Sequence, residues 1–171
     1  MLAEAWEPEL MEGELFDMNY GWDGHHLMND IAKGHKNAWD WNNYMNDRFD
    51  KYGEDDILMN FLTNHDENSW NGTISERMGD AREAFLALAY TMPGMPLIYS
   101  GQEYDLDHRL KFFEKDSIPK TKGRTWPLMA KLAKLKREEL ALHGGKQAAS
   151  YERVDTSVGD HILSFRRKKE N

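Results

Sequence analysis

Four short apolar runs alternate with stretches of helical spacing, and this alternation limits the folds open to the chain more than any other feature. The runs cover residues 2–6, 15–20, 57–62 and 95–100. Gly21 to Gly24 breaks away from the second of them, and Leu27, Met28 and Ile31 then recur at helical intervals up to Gly34. Trp41, Tyr44, Met45, Phe49 and Tyr52 form a second amphipathic helix that Gly53 ends. Ile74, Met78, Ala81, Phe85, Leu88, Ala89 and Met92 trace one face of a single long helix stopped by Pro93-Gly94. Pro127 suits a helix start, and Leu128, Leu132 and Leu135 give that helix its buried face. Strands separated by helices pack as a parallel sheet, because parallel neighbours need a long crossover between them. After Gly144-Gly145 the pattern changes: 148–154 and 161–167 alternate as an antiparallel pair around a turn at 155–160. Two units are therefore expected, an α/β part over 1–143 and the beginning of an antiparallel β part over 144–171.

Charge and composition remove several classes of function. The chain of 171 residues carries 30 acidic and 22 basic residues, a net charge of −8, and so lacks the basic face that nucleic acid requires. Arg166-Arg-Lys-Lys169 reads as a solvated strand end. With no cysteine, disulfides and thiol chemistry are excluded. No run approaches the ~18–20 apolar residues of a membrane span, so no membrane partner is expected.

The third apolar run ends abruptly in Asn64, His65, Asp66, Glu67 and Asn68. Two readings are open. These residues make turns and cap helices for purely local reasons. Equally, buried strands of α/β folds release their site residues into the loop that follows. Glu4, Asp66 and Glu103 each lie at or just beyond the C-terminal end of an expected parallel strand, where they could converge. Carboxylates acting together without a Cys/His metal set suit glycoside hydrolysis, in which one protonates the leaving oxygen and another supports an oxocarbenium-like centre.

Specific blocks sharpen this. Leu2-Ala-Glu-Ala-Trp6, Phe61-Leu-Thr-Asn-His-Asp66 and Gly94-Met-Pro-Leu-Ile-Tyr-Ser-Gly-Gln-Glu103 resemble, in order and spacing, three blocks of the α-amylase family of glycoside hydrolases. Phe112-Phe-Glu-Lys-Asp116 resembles a further block downstream. The resemblance implies half of a TIM (β/α)8 barrel, its strands five to eight, followed by the start of the family's C-terminal antiparallel β domain. It implies action on α-linked glucans or oligosaccharides with retention of configuration. By position, Glu4 matches the general acid/base. Asp66 matches the carboxylate that holds the reacting sugar and stabilises the transition state, and His65 the histidine beside it. Asn64 and Trp70 join His65 as expected substrate-binding residues, Trp70 by stacking. The resemblance further implies that Glu103 is a supporting residue and that Gly94 and Pro96 are structural.

The same resemblance marks a departure. The family's nucleophile is an aspartate after the fourth strand, and nothing here matches it; Asp17 lies in the wrong block. The family's calcium site belongs to the part of the fold not represented, so no metal or other cofactor is expected on these residues. The chain alone is accordingly expected to be inactive and to self-associate through the open half-barrel. The competing expectation is a non-catalytic sugar-binding or partner fragment. His25, His26 and His35 are expected at the surface or as caps. Asp105, Asp107 and His108 are expected to line a cleft, with a cation held through oxygen ligands as the less favoured reading.

Overall fold

The computed structural model describes residues 1–169. The antiparallel unit expected over 144–171 thus has its last two residues outside the described part. Four strands, β1 (Leu2–Ala3), β2 (Met18–Tyr20), β3 (Ile57–Asn60) and β4 (Met95–Pro96), form one sheet in the order β1-β2-β3-β4. Every pairing in it is parallel, with Leu2 opposite Met18, Met18 opposite Ile57 and Met59 opposite Met95. β1 and β4 are the open edges. The ladders are shorter than the apolar runs that announced them.

Helices α1 (Trp22–Ala32), α2 (Ala38–Lys51), α3 (Ile74–Met78), α4 (Arg82–Thr91) and α5 (Thr125–Glu138) fill the connections. Their apolar stripes meet in the main core, where Met28, Trp41, Met45, Phe85, Ala89, Met92, Met129 and Leu132 pack together. Side chains alternate along β3 with period two. Asn60 faces α4, donating its amide to the carbonyls of Ala89 and Pro93 at 3.4 and 2.9 Å. Met59 and Phe61 face the other way and join Tyr20 in a smaller cluster.

Three local expectations are corrected. α1 begins at Trp22 rather than after Gly24, which sits inside the helix because the Tyr44 ring lies against it; a Cβ there would be 2.7 Å from the tyrosine hydroxyl. The long helix expected from Ile74 to Met92 is two helices joined by a 3-10 turn over Gly79–Ala81. Gly79 adopts φ 51°, ψ −130°, a conformation that breaks helical geometry and that glycine tolerates. The terminal pair is antiparallel as expected, but its strands are β5 (Ser150–Arg153) and β6 (Phe165–Lys168), so the second begins later. Residues before it turn instead, with the amides of His161 and Ile162 donating to Val158 O.

α2 shows how local sequence sets a boundary. Asn37 Oδ1 accepts from the amides of Trp39 and Asp40, and Asp40 returns a bond to the Asn37 amide at 2.9 Å, closing a capping box.

Candidate functional site

β1 and β3 are not adjacent in the sheet, yet the residues that follow them meet. Glu4 stands one residue beyond β1, and β3 runs on through Phe61 to His65 and Asp66. His65 Nε2 lies 3.5 Å from Glu4 Oε1 and 3.6 Å from Asp66 Oδ2. One ligand-type atom from each of the three side chains lies within 4.8 Å of the others. Glu4 and His65 are exposed and Asp66 is half-buried, so the group opens to solvent. Tyr20, ending β2, adds a third strand end. Burial pushes its hydroxyl pKa up, and the charges of Glu4 and Asp66 push it further, so it stays protonated beside them.

This arrangement suits proton delivery and hydrogen bonding to a polyhydroxylated ligand: two carboxylates accept, and an imidazole between them can do either. The same three side chains also offer a divalent cation one nitrogen and two oxygen ligands. Among the described residues, Glu103 does not join the group; its Oε2 accepts from the Gly101 amide at 3.0 Å. Asp17 precedes β2, at the opposite end of the sheet.

Asn64, expected to bind substrate, lies in the interior. It is 1% exposed, and its Oδ1 accepts the Glu67 amide at 2.8 Å. Its side chain therefore shapes the loop from beneath and offers no surface to a ligand. The loop continues into a single π-helical turn, Glu67–Asn71, ended by Gly72 at φ 118°. Such turns are frequent at functional sites.

Trp70 is 57% exposed on that turn. Its indole lies 5.2 Å from the Phe112 ring and 6.3 Å from Phe113, and Phe112 in turn lies 5.8 Å from the His65 ring. The result is an aromatic ledge leading away from the carboxylates. It exists because the loop after β4 is tied down onto the π-turn. Asn68 donates to His108 O and accepts from the Leu110 amide, and Ser69 Oγ donates to Leu110 O at 2.7 Å. The Asp107 side chain shares in this anchoring, and those of Asp105 and His108 brace the same loop elsewhere. Asp107 accepts from Thr73 Oγ1, Asp105 from Thr125, and His108 pairs with Asp116 at 2.9 Å. Amides of Lys111 and Ser117, with His108, hold the Asp116 carboxyl at about 2. These groups do not gather as cation ligands among the described residues.

Under the loop lies a buried polar network that sequence reasoning missed. Glu67 Oε2 is 3.0 Å from His25 Nε2, and Glu67 Oε1 accepts from Asn71 Nδ2 at 2.8 Å. Arg77 reaches Glu67 at 3.9 Å and donates to Gly72 O, Asn29 Oδ1 and Leu62 O. His25, expected at the surface, is fully buried, stacked on Phe61 at 4.5 Å and bonded to Phe61 O at 3.1 Å. Burial pushes its imidazole pKa down against the pull of Glu67. Burial alone would raise the Glu67 carboxyl, but the bonds from His25 and Asn71 and the Arg77 charge outweigh it and hold it at about 2. One signal for this network was available: His25/Asn29 and Glu67/Asn71 are both polar pairs at i,i+4, the spacing of one helical face.

No family model matches the sequence, and comparison with curated proteins gives no match. Solved structures do match. A noncanonic maltogenic α-amylase, AmyB, from Thermotoga neapolitana superimposes with a TM-score of 0.82 at 21% identity, over 96% of this chain and 37% of that one. An α-amylase from Lactobacillus plantarum gives 0.81 at 25% identity, over 99% and 42%. The cyclic α-maltosyl-(1→6)-maltose hydrolase of Arthrobacter globiformis gives 0.78 at 17% identity, over 99% and 39%, and has also been solved with maltose. The chain therefore spans less than half the length of the structures it matches. The resemblance to the α-amylase family carried by the sequence blocks recurs at the level of the fold.

Proposed function

We propose that this chain forms the acid/base side of a glycoside hydrolase site that cleaves α-glucosidic bonds with retention, on the fifth to eighth strands of a (β/α)8 barrel. The observation that carries the reading is the meeting of Glu4, His65 and Asp66 at the C-terminal ends of the parallel strands β1 and β3. Glu4, in its acid form, donates its proton to the glycosidic oxygen as the bond to the anomeric carbon breaks. As a carboxylate it then takes a proton from the attacking water. Asp66 accepts hydrogen bonds from hydroxyls of the reacting sugar, and its charge favours the oxocarbenium-like centre. His65, within reach of both carboxylates, bonds the same ring, and Trp70 offers an apolar face to a neighbouring sugar unit. Asn64 acts at one remove, by fixing the loop.

A retaining double displacement also needs a carboxylate nucleophile. In this reading a preceding segment of the barrel supplies it, pairing along the open edge at β1. The 171 residues alone then bind oligosaccharide, hydrolyse negligibly and self-associate through the unpaired edges. Calorimetric titration with maltoheptaose tests the binding half: Asp66→Ala and Trp70→Ala should each weaken it about tenfold, roughly 1.4 kcal/mol. Absence of binding by the parent chain, or indifference to both substitutions, would sink the reading. Rapid release of reducing sugar from soluble starch by the chain alone would refute the assignment of the nucleophile to another segment.

A further inference from the structure

A cavity of about 380 Å³ lies at the opposite end of the sheet from Glu4 and Asp66. It is lined by Gly53 and Asp56 ahead of β3, by Pro93 and Gly94 ahead of β4, and by the Gly144–Gly145 turn. Two guanidinium groups also line it, Arg48 from α2 and Arg167 from β6. Arg48 is 5% exposed, and its Nη1 is enclosed with no hydrogen-bond partner among the described residues. Its neighbour on the same helix, Tyr44, hydrogen-bonds the guanidinium but is kept neutral by burial and supplies no counter-charge. Arg167 places three of its five N–H donors on carbonyls, Nε on Ser150 O at 3.1 Å, Nη1 on Thr91 O at 3.1 Å and Nη2 on Ala149 O at 3.0 Å, which leaves one N–H on each Nη. Neither guanidinium has a carboxylate within 4.0 Å among the described residues, whereas Arg109, Arg124, Arg153 and Arg166 are all paired.

The acids at this cavity do not fill the gap. Asp56 lines it, but its Oδ2 accepts the Gly53 amide at 2.8 Å, and Glu54, the other acidic lining residue, pairs with neither arginine among the described residues. Burial, and then the Arg48 charge, bring Arg167 down to about 10, the direction expected when two like charges share a partly dry space. Buried charge without a counter-charge is costly, and a chain with 30 acidic residues had many ways to supply one. The lining glycines leave main chain exposed to whatever enters.

We infer that this cavity binds a small tetrahedral oxyanion of the phosphate type, held between the Arg48 and Arg167 guanidinium groups. The planar fork of arginine matches such oxygens. The site is at the opposite end of the sheet from the glycosidase reading and stands or falls independently of it. Two sources share the chemistry, free phosphate and the phosphate ester of a sugar, and the test separates them.

The full chain is titrated at pH 7 and constant ionic strength with sodium phosphate, with α-glucose 1-phosphate and with sodium chloride, following heat of binding and Tm. Saturable one-site binding and a rise in Tm are expected with phosphate and not with chloride. Tighter binding of the ester assigns the site to sugar phosphates; equal or weaker binding assigns it to the free ion. Arg48→Met should weaken phosphate binding at least tenfold without lowering Tm in chloride, because it removes an unpaired buried charge. Ser150→Glu sets a carboxylate at the same cavity and keeps the test decisive if the first variant does not fold. It should raise Tm in chloride and abolish the phosphate response. A parent chain that treats phosphate and chloride alike, or a folded variant with unchanged phosphate affinity, overturns the inference.

Discussion

Replacing Glu67 by alanine should destabilise the chain far more than replacing either Glu4 or Asp66 at the site. Glu67 is nearly buried and accepts from Asn71 at 2.8 Å, with His25 at 3.0 Å and Arg77 at 3.9 Å. Its removal leaves the buried Arg77 without its nearest carboxylate, and breaking a buried pair from one side costs about 3–5 kcal/mol. Arg77 keeps its bonds to Gly72 O, Asn29 Oδ1 and Leu62 O, which places the expectation at the lower end, about 3 kcal/mol. For a chain of this size that corresponds to a fall in Tm of roughly 6–12 °C. Urea unfolding with an unchanged m-value is the assay. Its pH dependence gives a second, independent check. The folded carboxyl sits at about 2 against 4.5 for an ordinary glutamate, so its stabilisation is complete above about 4.5 and is lost as pH falls towards 2. Parent and variant should therefore converge in stability across that window. A loss below ~1 kcal/mol at pH 7, the scale of one ordinary hydrogen bond, would show that the network does not hold the loop.

Gly94→Ala should cost at least ~2 kcal/mol in urea unfolding, since φ is 109° and a Cβ would press into Leu58 O, deep inside contact distance. Asn37→Ala should cost about 1 kcal/mol by the same measurement, through loss of the capping box at α2. Lys136 is held near 8 by burial and then by the Arg167 charge, so the unfolded chain binds more protons between about 8 and 10.5. Stability should rise with pH across that interval in the parent and not in Lys136→Met; equal slopes in the two would contradict the assignment.

The legibility of this protein in its sequence varied with the range of the interactions. The parallel αβ pattern could be read because each element buries one face, and burial of one face imposes a period of two or 3.6 on the residues themselves. Trp41 is fully buried on α2, where its spacing put it. Glu4, Asp66 and Glu103 could be read as a set because strand ends in a parallel sheet lie on one side; Glu4 and Asp66 meet about His65, whereas Glu103 turns back to the Gly101 amide. The break at Gly79 was not legible, since the apolar stripe runs through it unbroken and only the backbone departs from the helix. Nor was the interior position of Asn64 or His25, because a polar side chain satisfied in the interior has the same letter as one at the surface.

The sequence by itself determined the order of strands and helices, the absence of thiol chemistry and the set of carboxylates at one end of the sheet. All of these follow from composition or from local periodicity. Tertiary structure alone decided which polar residues touch. It brought Glu4 to His65 across some sixty residues, folded the Phe112 loop against Trp70, buried Glu67 with Arg77, and left Arg48 and Arg167 facing one cavity without a counter-charge among the described residues. Those outcomes turn on distances of a few ångströms between segments remote in the chain. Electrostatic and hydrogen-bond energies change steeply over that range, while the one-dimensional pattern does not record it.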